Sequence, residues 1–336
     1  MTEVLLAKLR AQDTARATLE RALETGRVHH AYLFAGPNGV GKELAAFGFA
    51  QALVCEKREA PLHRACGQCS ACARSIPRTE ERTALHPDII VIERALYAPQ
   101  AIGRRTPETQ DISIDQVRTL VLSRAAYAPH EGRAKVIIVR RAEELSISAA
   151  NALLKTLEEP NKATHFILLT AHPDALLPTI LSRTLRVRFS PLPDHVVAQI
   201  LEERGVAKDR APEVARLAAG SVEAGELLAD PDESSARDEF VRRALEAVDA
   251  PSLSPLLALA EDAKKEKKPE LSLHIVALAS AIARQAAEAA RQGASNASVF
   301  AARGRFALDA ISNLDGNNAP QLVVESMIAR MRTAGP

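Results

Sequence analysis

The segment that most constrains this 336-residue chain is Gly36-Pro37-Asn38-Gly39-Val40-Gly41-Lys42-Glu43. It follows an apolar run, Ala31–Ala35, and leads into a helical pattern that extends from about Gly41 to Val54. Strand, glycine turn and helix in that order make a phosphate-binding loop. The glycines let backbone N–H groups converge, the helix amino terminus adds positive potential, and the lysine reaches the outer phosphates. Gly36, Gly39, Gly41 and Lys42 are therefore the candidate nucleotide-binding residues. The segment fits G-x-x-x-x-G-K-[ST] at every position but the last. Ser or Thr there lends a hydroxyl to Mg²⁺, whereas Glu43 brings a carboxylate close to bound phosphates. That carboxylate either engages a metal in another way or repels the nucleotide, and the sequence leaves both open.

The rest of the first half agrees with a parallel sheet covered on both faces. Asp88–Glu93 reads as a second strand, and Val136–Val139, preceded by Lys135, as a buried third. Ser146–Glu159 reads as a helix ended by Pro160, with further strands at Thr164–Thr170 and Leu185–Phe189. Arg94–Asp111 has two prolines and no periodicity, which predicts a surface loop. Strand signals stop after Ser190-Pro191-Leu192-Pro193, and the remainder of the chain reads as helix, with a boundary near Asp230-Pro231-Asp232. The charge run Glu261–Glu270 reads as a solvated face.

Nucleotide hydrolysis in such a fold needs a later strand ending in Asp-Glu, the Asp holding Mg²⁺ and the Glu polarising water. Here the third strand ends in Arg140-Arg141, and Glu143 and Glu144 come too late to occupy its tip. Two cations neither coordinate magnesium nor act as a general base. No intrinsic ATPase activity is expected; Mg²⁺ is not expected, and ATP binding is doubtful.

Cys55, Cys66, Cys69 and Cys72 form C-x10-C-x2-C-x2-C. Two thiolates separated by two residues can chelate one ion from a tight turn, and four close a tetrahedral structural zinc site. An iron–sulfur cluster or free buried thiols are the alternatives. His63 and His86 lie nearby and are not needed as ligands.

Composition bears on function class. Lys plus Arg (43) nearly balances Asp plus Glu (42), and aromatics are only 3%, so a protein that grips nucleic acid with its whole surface is disfavoured. Arg104-Arg105 is a local exception. The amino terminus reads as an amphipathic helix and not as a signal peptide, and apolar stretches such as Leu273–Ala283 are too short to span a bilayer. A cytoplasmic protein without a membrane partner is the expectation.

Specific resemblance appears around the third strand. Ala149-Ala150-Asn151-Ala152-Leu153-Leu154-Lys155-Thr156-Leu157-Glu158-Glu159-Pro160 resembles the helix after the acidic strand in the AAA+ clamp-loader subunits of bacterial DNA polymerase III. Gly26–Phe34 is similar to their lead-in to the phosphate loop, Thr164–Thr170 to their sensor strand, and Leu176–Thr184 to the segment carrying their Ser-Arg-Cys motif, with Thr184 for Cys. The likeness is dense from Gln12 to Phe189. It implies an α/β AAA+ type P-loop domain over 1–190 with an inserted zinc module at 55–72, a small helical lid at 191–230, and an all-α collar at 231–336 that oligomerises, the Ala-rich stretch Leu273–Ala290 facing partners.

The resemblance also implies a role. The family has working motors (gamma/tau) and a member that does not hydrolyse. This chain lacks the Ser/Thr, the Asp and the Glu, and Glu223 stands where a sensor arginine is expected after Gly220-Ser221. These departures fit the non-hydrolysing stator. In that role Arg183 would act as an arginine finger in trans on a neighbouring motor subunit's ATP. The implied partners are the gamma/tau and delta subunits, and through the complex the sliding clamp and primed DNA. An active motor ATPase and a free-standing zinc-containing nucleic-acid binder are the competing readings.

Overall fold

In the computed structural model the described residues are 4–57, 64–78, 83–106, 111–125, 127–158, 163–294, 296–315 and 318–334. Glu159, Pro160 and His63 lie outside them. The chain divides into two compact units, residues 1–197 and 198–336.

The first unit is built on five strands: β1 Ala31–Ala35, β2 Ile89–Ile92, β3 Lys135–Val139, β4 Thr164–Thr170 and β5 Leu185–Arg188. All pairings are parallel, in the order β2-β3-β4-β1-β5. Every residue of β1 to β4 is buried, as expected of a parallel sheet covered on both faces. Four helices of this unit are labelled: α1 Asp13–Thr25, α2 Lys42–Val54, α3 Ser70–Arg74 and α4 Ile147–Glu158. Alternate strand residues, among them Leu33, Ile92, Ile137 and Phe166, form one core with Leu153 and Leu157 of α4 and with Val117, Leu120 and Val121. The opposite face carries Tyr32 and Phe34, with Tyr32 edge-on to Phe49 of α2 at 5.1 Å between centroids.

Three local features differ from the sequence expectations. The amino-terminal helix is split into a 3-10 turn, Leu5–Lys8, and α1. The turn is seated on α2: Leu5 N donates to Gln51 Oε1 (3.1 Å), and Gln51 Nε2 donates to Cys72 O (3.1 Å). The segment from Arg94 is anchored and not merely superficial, because Ile102 is buried and Tyr97 Oη donates to Val91 O (2.8 Å). Residues 114–125, unassigned from sequence, are helical, with Ser113 capping the start and a π-helical turn over Val117–Leu122. Ile112 just before them bridges to Leu145 beyond β3.

The second unit is helical, with the division at 197/198 falling inside α5, Asp194–Glu203. It continues through α6 Ala211–Leu217, α7 Val222–Ala229, α8 Pro231–Asp249, α9 Ser254–Ala263, α10 Lys268–Arg291, α11 Ala297–Asp315 and α12 Pro320–Thr333. Leu271, Ile275, Leu278 and Ile282 of α10 recur at helical spacing and join Leu256, Leu259, Val324, Met327 and Ile328 in one core. The apolar stripe of α10 is thus consumed within the chain's own unit, which leaves Val276 and the alanine-rich far end for other contacts. Among the described residues no helix is long and apolar enough to cross a membrane.

Candidate functional site

The phosphate loop leaves the carboxyl end of β1, beside β4 and β5, where the chain crosses over to β2 at the sheet's far edge. In open parallel sheets such a switch point is where ligands bind. Gly36 meets Phe189 so closely that a Cβ would lie 2.2 Å from the Phe189 carbonyl oxygen, so the loop tolerates nothing larger there. Gly39 (φ +70°) and Gly41 (φ +99°) take left-handed conformations that turn the backbone into α2. Lys42 is nearly buried and its Nζ folds back over the loop, donating to Gly36 O and, at 2.6 Å, to Pro37 O.

The departures from the motif come together in space. The register Ile92↔Val139 sets the residues after β2 and β3 side by side. Arg140, with its side chain 4% exposed, reaches Glu93 Oε2 through Nη1 at 2.9 Å and Glu43 through Nη2. Its guanidinium also lies 5.7 Å from the ring centre of Phe47, one turn further along α2. Arg141 adopts φ +46° and pairs with Glu144 at 3.5 Å, while Arg94 reaches the same carboxylate at 3.4 Å. Glu143 accepts from Ala171 N beyond β4 at 3.3 Å. A magnesium nucleotide does not fit this set of donors. The hydroxyl position holds a carboxylate already joined to a cation, and the strand tip that should offer an acid offers Arg140. Glu43, which the sequence left with two readings, is an ion-pair partner.

The four cysteines do converge. Their Sγ atoms all lie within 4.8 Å of one another, with Cys55–Cys69 at 4.0 Å and Cys66–Cys72 at 3.9 Å. Zinc with four Zn–S bonds of ~2.3 Å sets neighbouring sulfurs ~3.8 Å apart, so the cage fits such an ion. Amide donors turn toward the sulfurs: Cys69 N to Cys66 Sγ at 3.3 Å, and Cys72 N to Cys69 Sγ at 3.4 Å. Burial opposes a thiolate at Cys66, but the amides of Gln68 and Cys69 outweigh it and bring that thiol down to about 7. Burial holds Cys55 and Cys72 up. These four residues could therefore hold a metal ion, and an arriving ion would have to displace protons.

Arg183 lies elsewhere. It sits beyond a short helix, Pro178–Leu181, ahead of β5, where Nη2 bonds Glu158 Oε1 and Nη1 donates to Thr179 O at 3.0 Å. With His29, His30, Leu157, Glu158, Ser182, Thr184 and Leu185 it lines an open groove of about 560 Å³. His29 and His30 stack at 4.2 Å just before β1; burial first, then the charge of His29, lowers the His30 pKa. The phosphate loop follows β1 and this groove precedes it, so they lie at opposite ends of the strands, roughly 16 Å apart along five residues of strand. Arg183 and this chain's own loop cannot meet on one nucleotide.

Sequence reading missed Glu93, Glu158 and Gln51. Glu93 carries no motif of its own, and Glu158, though inside the quoted helix motif, shows its role only through what it pairs with.

The family described as DNA polymerase III, delta subunit, matches residues 11–193. The delta' subunit of Bacillus subtilis (strain 168) is 31% identical over 229 residues, 68% of this chain and 60% of that protein. The gamma/tau subunit of Mycobacterium tuberculosis (strain H37Rv) is 32% identical over 232 residues, 64% of this chain and 35% of that protein. Thus the matched region spans about a third of the gamma/tau relative. Among solved structures, a gamma subunit-related protein of Thermotoga maritima aligns with TM-score 0.45 at 20% identity, covering 96% of this chain and 99% of that one. With a phosphate loop of this form and a family match over more than half its length, the chain belongs to the clamp-loader subunits of DNA polymerase III.

Proposed function

We propose that this chain is the delta-prime type of clamp-loader subunit, a non-hydrolysing stator that stands beside gamma/tau motor subunits and lends Arg183 to a neighbour's ATP. The observation that carries the proposal is the tip of β3, where Arg140 replaces the metal-binding acid and is bonded to Glu43 and Glu93. Gamma/tau relatives are as similar in sequence as delta' relatives, so identity does not separate the two readings; the chemistry at β3 favours the stator.

The division of labour follows from electrostatics. A guanidinium placed against a transferring phosphoryl group neutralises developing charge and can raise the rate ~10³–10⁵-fold. Arg183 is one-third exposed, on an open groove at the strand ends away from its own loop, which suits action on a neighbouring chain. Its pairing with Glu158 is a partly exposed contact, weak enough to exchange for a phosphate. The four-cysteine cage holds a structural zinc ion that braces the end of α2. A lid over 191–230 and an oligomerising collar over 231–336 follow the sheet, with the delta subunit, the sliding clamp and primed DNA met through the complex.

Reconstituting gamma/tau and delta subunits with this chain tests the reading. Arg183→Ala should leave assembly on gel filtration intact and lower DNA-dependent ATPase at least tenfold. Unchanged ATPase removes Arg183 from the mechanism, and failure to join the complex overturns the stator assignment.

A further inference from the structure

We infer that the guanidinium of Arg140 is a built-in substitute for the divalent cation of this fold, holding together permanently the parts that a metal nucleotide would otherwise hold. This rests on the reading of Gly36–Glu43 as a relinquished nucleotide site. Glu43 lies in the first turn of the helix after the loop, Glu93 directly follows β2, and Arg140 directly follows β3; these three elements surround the place where phosphates and metal would lie. One fork-shaped cation bonds both carboxylates, 2.9 Å from Glu93 Oε2 and also in contact with Glu43, with Phe47 against it. Guanidinium suits that task because its planar donors satisfy two carboxylates at once, whereas an ammonium is a single point charge.

Burial makes the substitution consequential. The Arg140 side chain is 4% exposed and that of Glu93 10%, so this pairing is poorly screened, while Glu43, 44% exposed, is the outer partner. Within the loop itself Lys42 adds a second tie, its Nζ donating to the carbonyls of Gly36 and Pro37. The loop is therefore kept in shape by two internal cations, and its rigidity does not depend on nucleotide.

Three proteins test this: wild type, Arg140→Gln, and Arg140→Gln combined with Glu43→Gln. Thermal melting is followed with increasing Mn²⁺ or Mg²⁺, alone and with ATP, after desalting in place of chelation so that the cysteine cage is untouched. Wild type should be indifferent to Mn²⁺, Mg²⁺ and Mg-ATP. R140Q should melt lower without divalent ions and recover by several degrees with Mn²⁺, because Glu43 and Glu93 have lost the cation they share. The double variant should lose at least most of that recovery. If R140Q does not fold, R140K serves; its single ammonium should leave it less stable than wild type, with partial recovery by Mn²⁺. An R140Q or R140K melting curve indifferent to Mn²⁺ overturns the substitution alone. A wild-type melting point raised by Mg-ATP overturns both it and the stator reading.

Discussion

Asp88, at the foot of β2, shows how much one buried carboxylate can organise. Its oxygens accept from the backbone amides of His130 (2.6 Å), Glu131 (2.9 Å) and Gly132 (2.8 Å), fixing the turn that enters β3. Burial works against the charge, but the three amides outweigh it and draw the pKa below the ordinary aspartate value. A carboxylate whose folded pKa is depressed contributes fully above its unfolded value of ~4 and loses that contribution as pH falls through the folded value. Asp88→Asn should therefore cost about 1.5–3 kcal/mol in urea unfolding at neutral pH, in line with hydrogen bonds to a charged group. The difference from wild type should shrink as pH falls below ~4, and a pH-independent difference would mean that shape and not charge matters here. Nothing near His86-Pro87-Asp88 in the sequence advertises this role, because the partners lie more than forty residues away.

At the scale of elements, the phosphate loop and its flanks were readable because strand, turn and helix are contiguous and each obeys a local rule. The cysteine turn was readable for the same reason. The pairing Arg140–Glu93, 47 residues apart, depends on β2 lying beside β3, which no local pattern encodes. Edges of elements shifted only slightly: Leu185–Phe189 is observed as Leu185–Arg188 and Asp88–Glu93 as Ile89–Ile92. The π-helical turn over Val117–Leu122 is one residue looser than an α-turn and has no signature in the sequence. The cysteine cage allows a direct test. Purified protein should carry stoichiometric zinc, and Cys69→Ser should lose it and raise hydrogen exchange at the end of α2 and in α3. Lowering pH should weaken retention as thiolates are protonated. Metal absent from wild type, with unchanged exchange in C69S, would make these ordinary buried thiols.

For the whole molecule, the separation of Arg183 from the loop by the length of a strand decides what the chain can do alone. Even copies associating with one another would present Arg183 to a loop flanked by Arg140 and Arg141. ATP hydrolysis by the isolated chain should therefore stay at background across a concentration series, and turnover abolished by Lys42→Ala would contradict this. The helical unit is closed on itself through Leu271, Ile275, Leu278 and Ile282, so this stripe is covered from within, whereas the sequence reading had Leu273–Ala290 facing partners. Returning to α2, the amide of Gln51 ties the amino-terminal turn at Leu5 to the carbonyl of Cys72 across the same helix. That one side chain makes α2 a spar shared by the chain's first turn and its cysteine cage, so the amino terminus becomes a sentinel for the condition of a module some fifty residues further along.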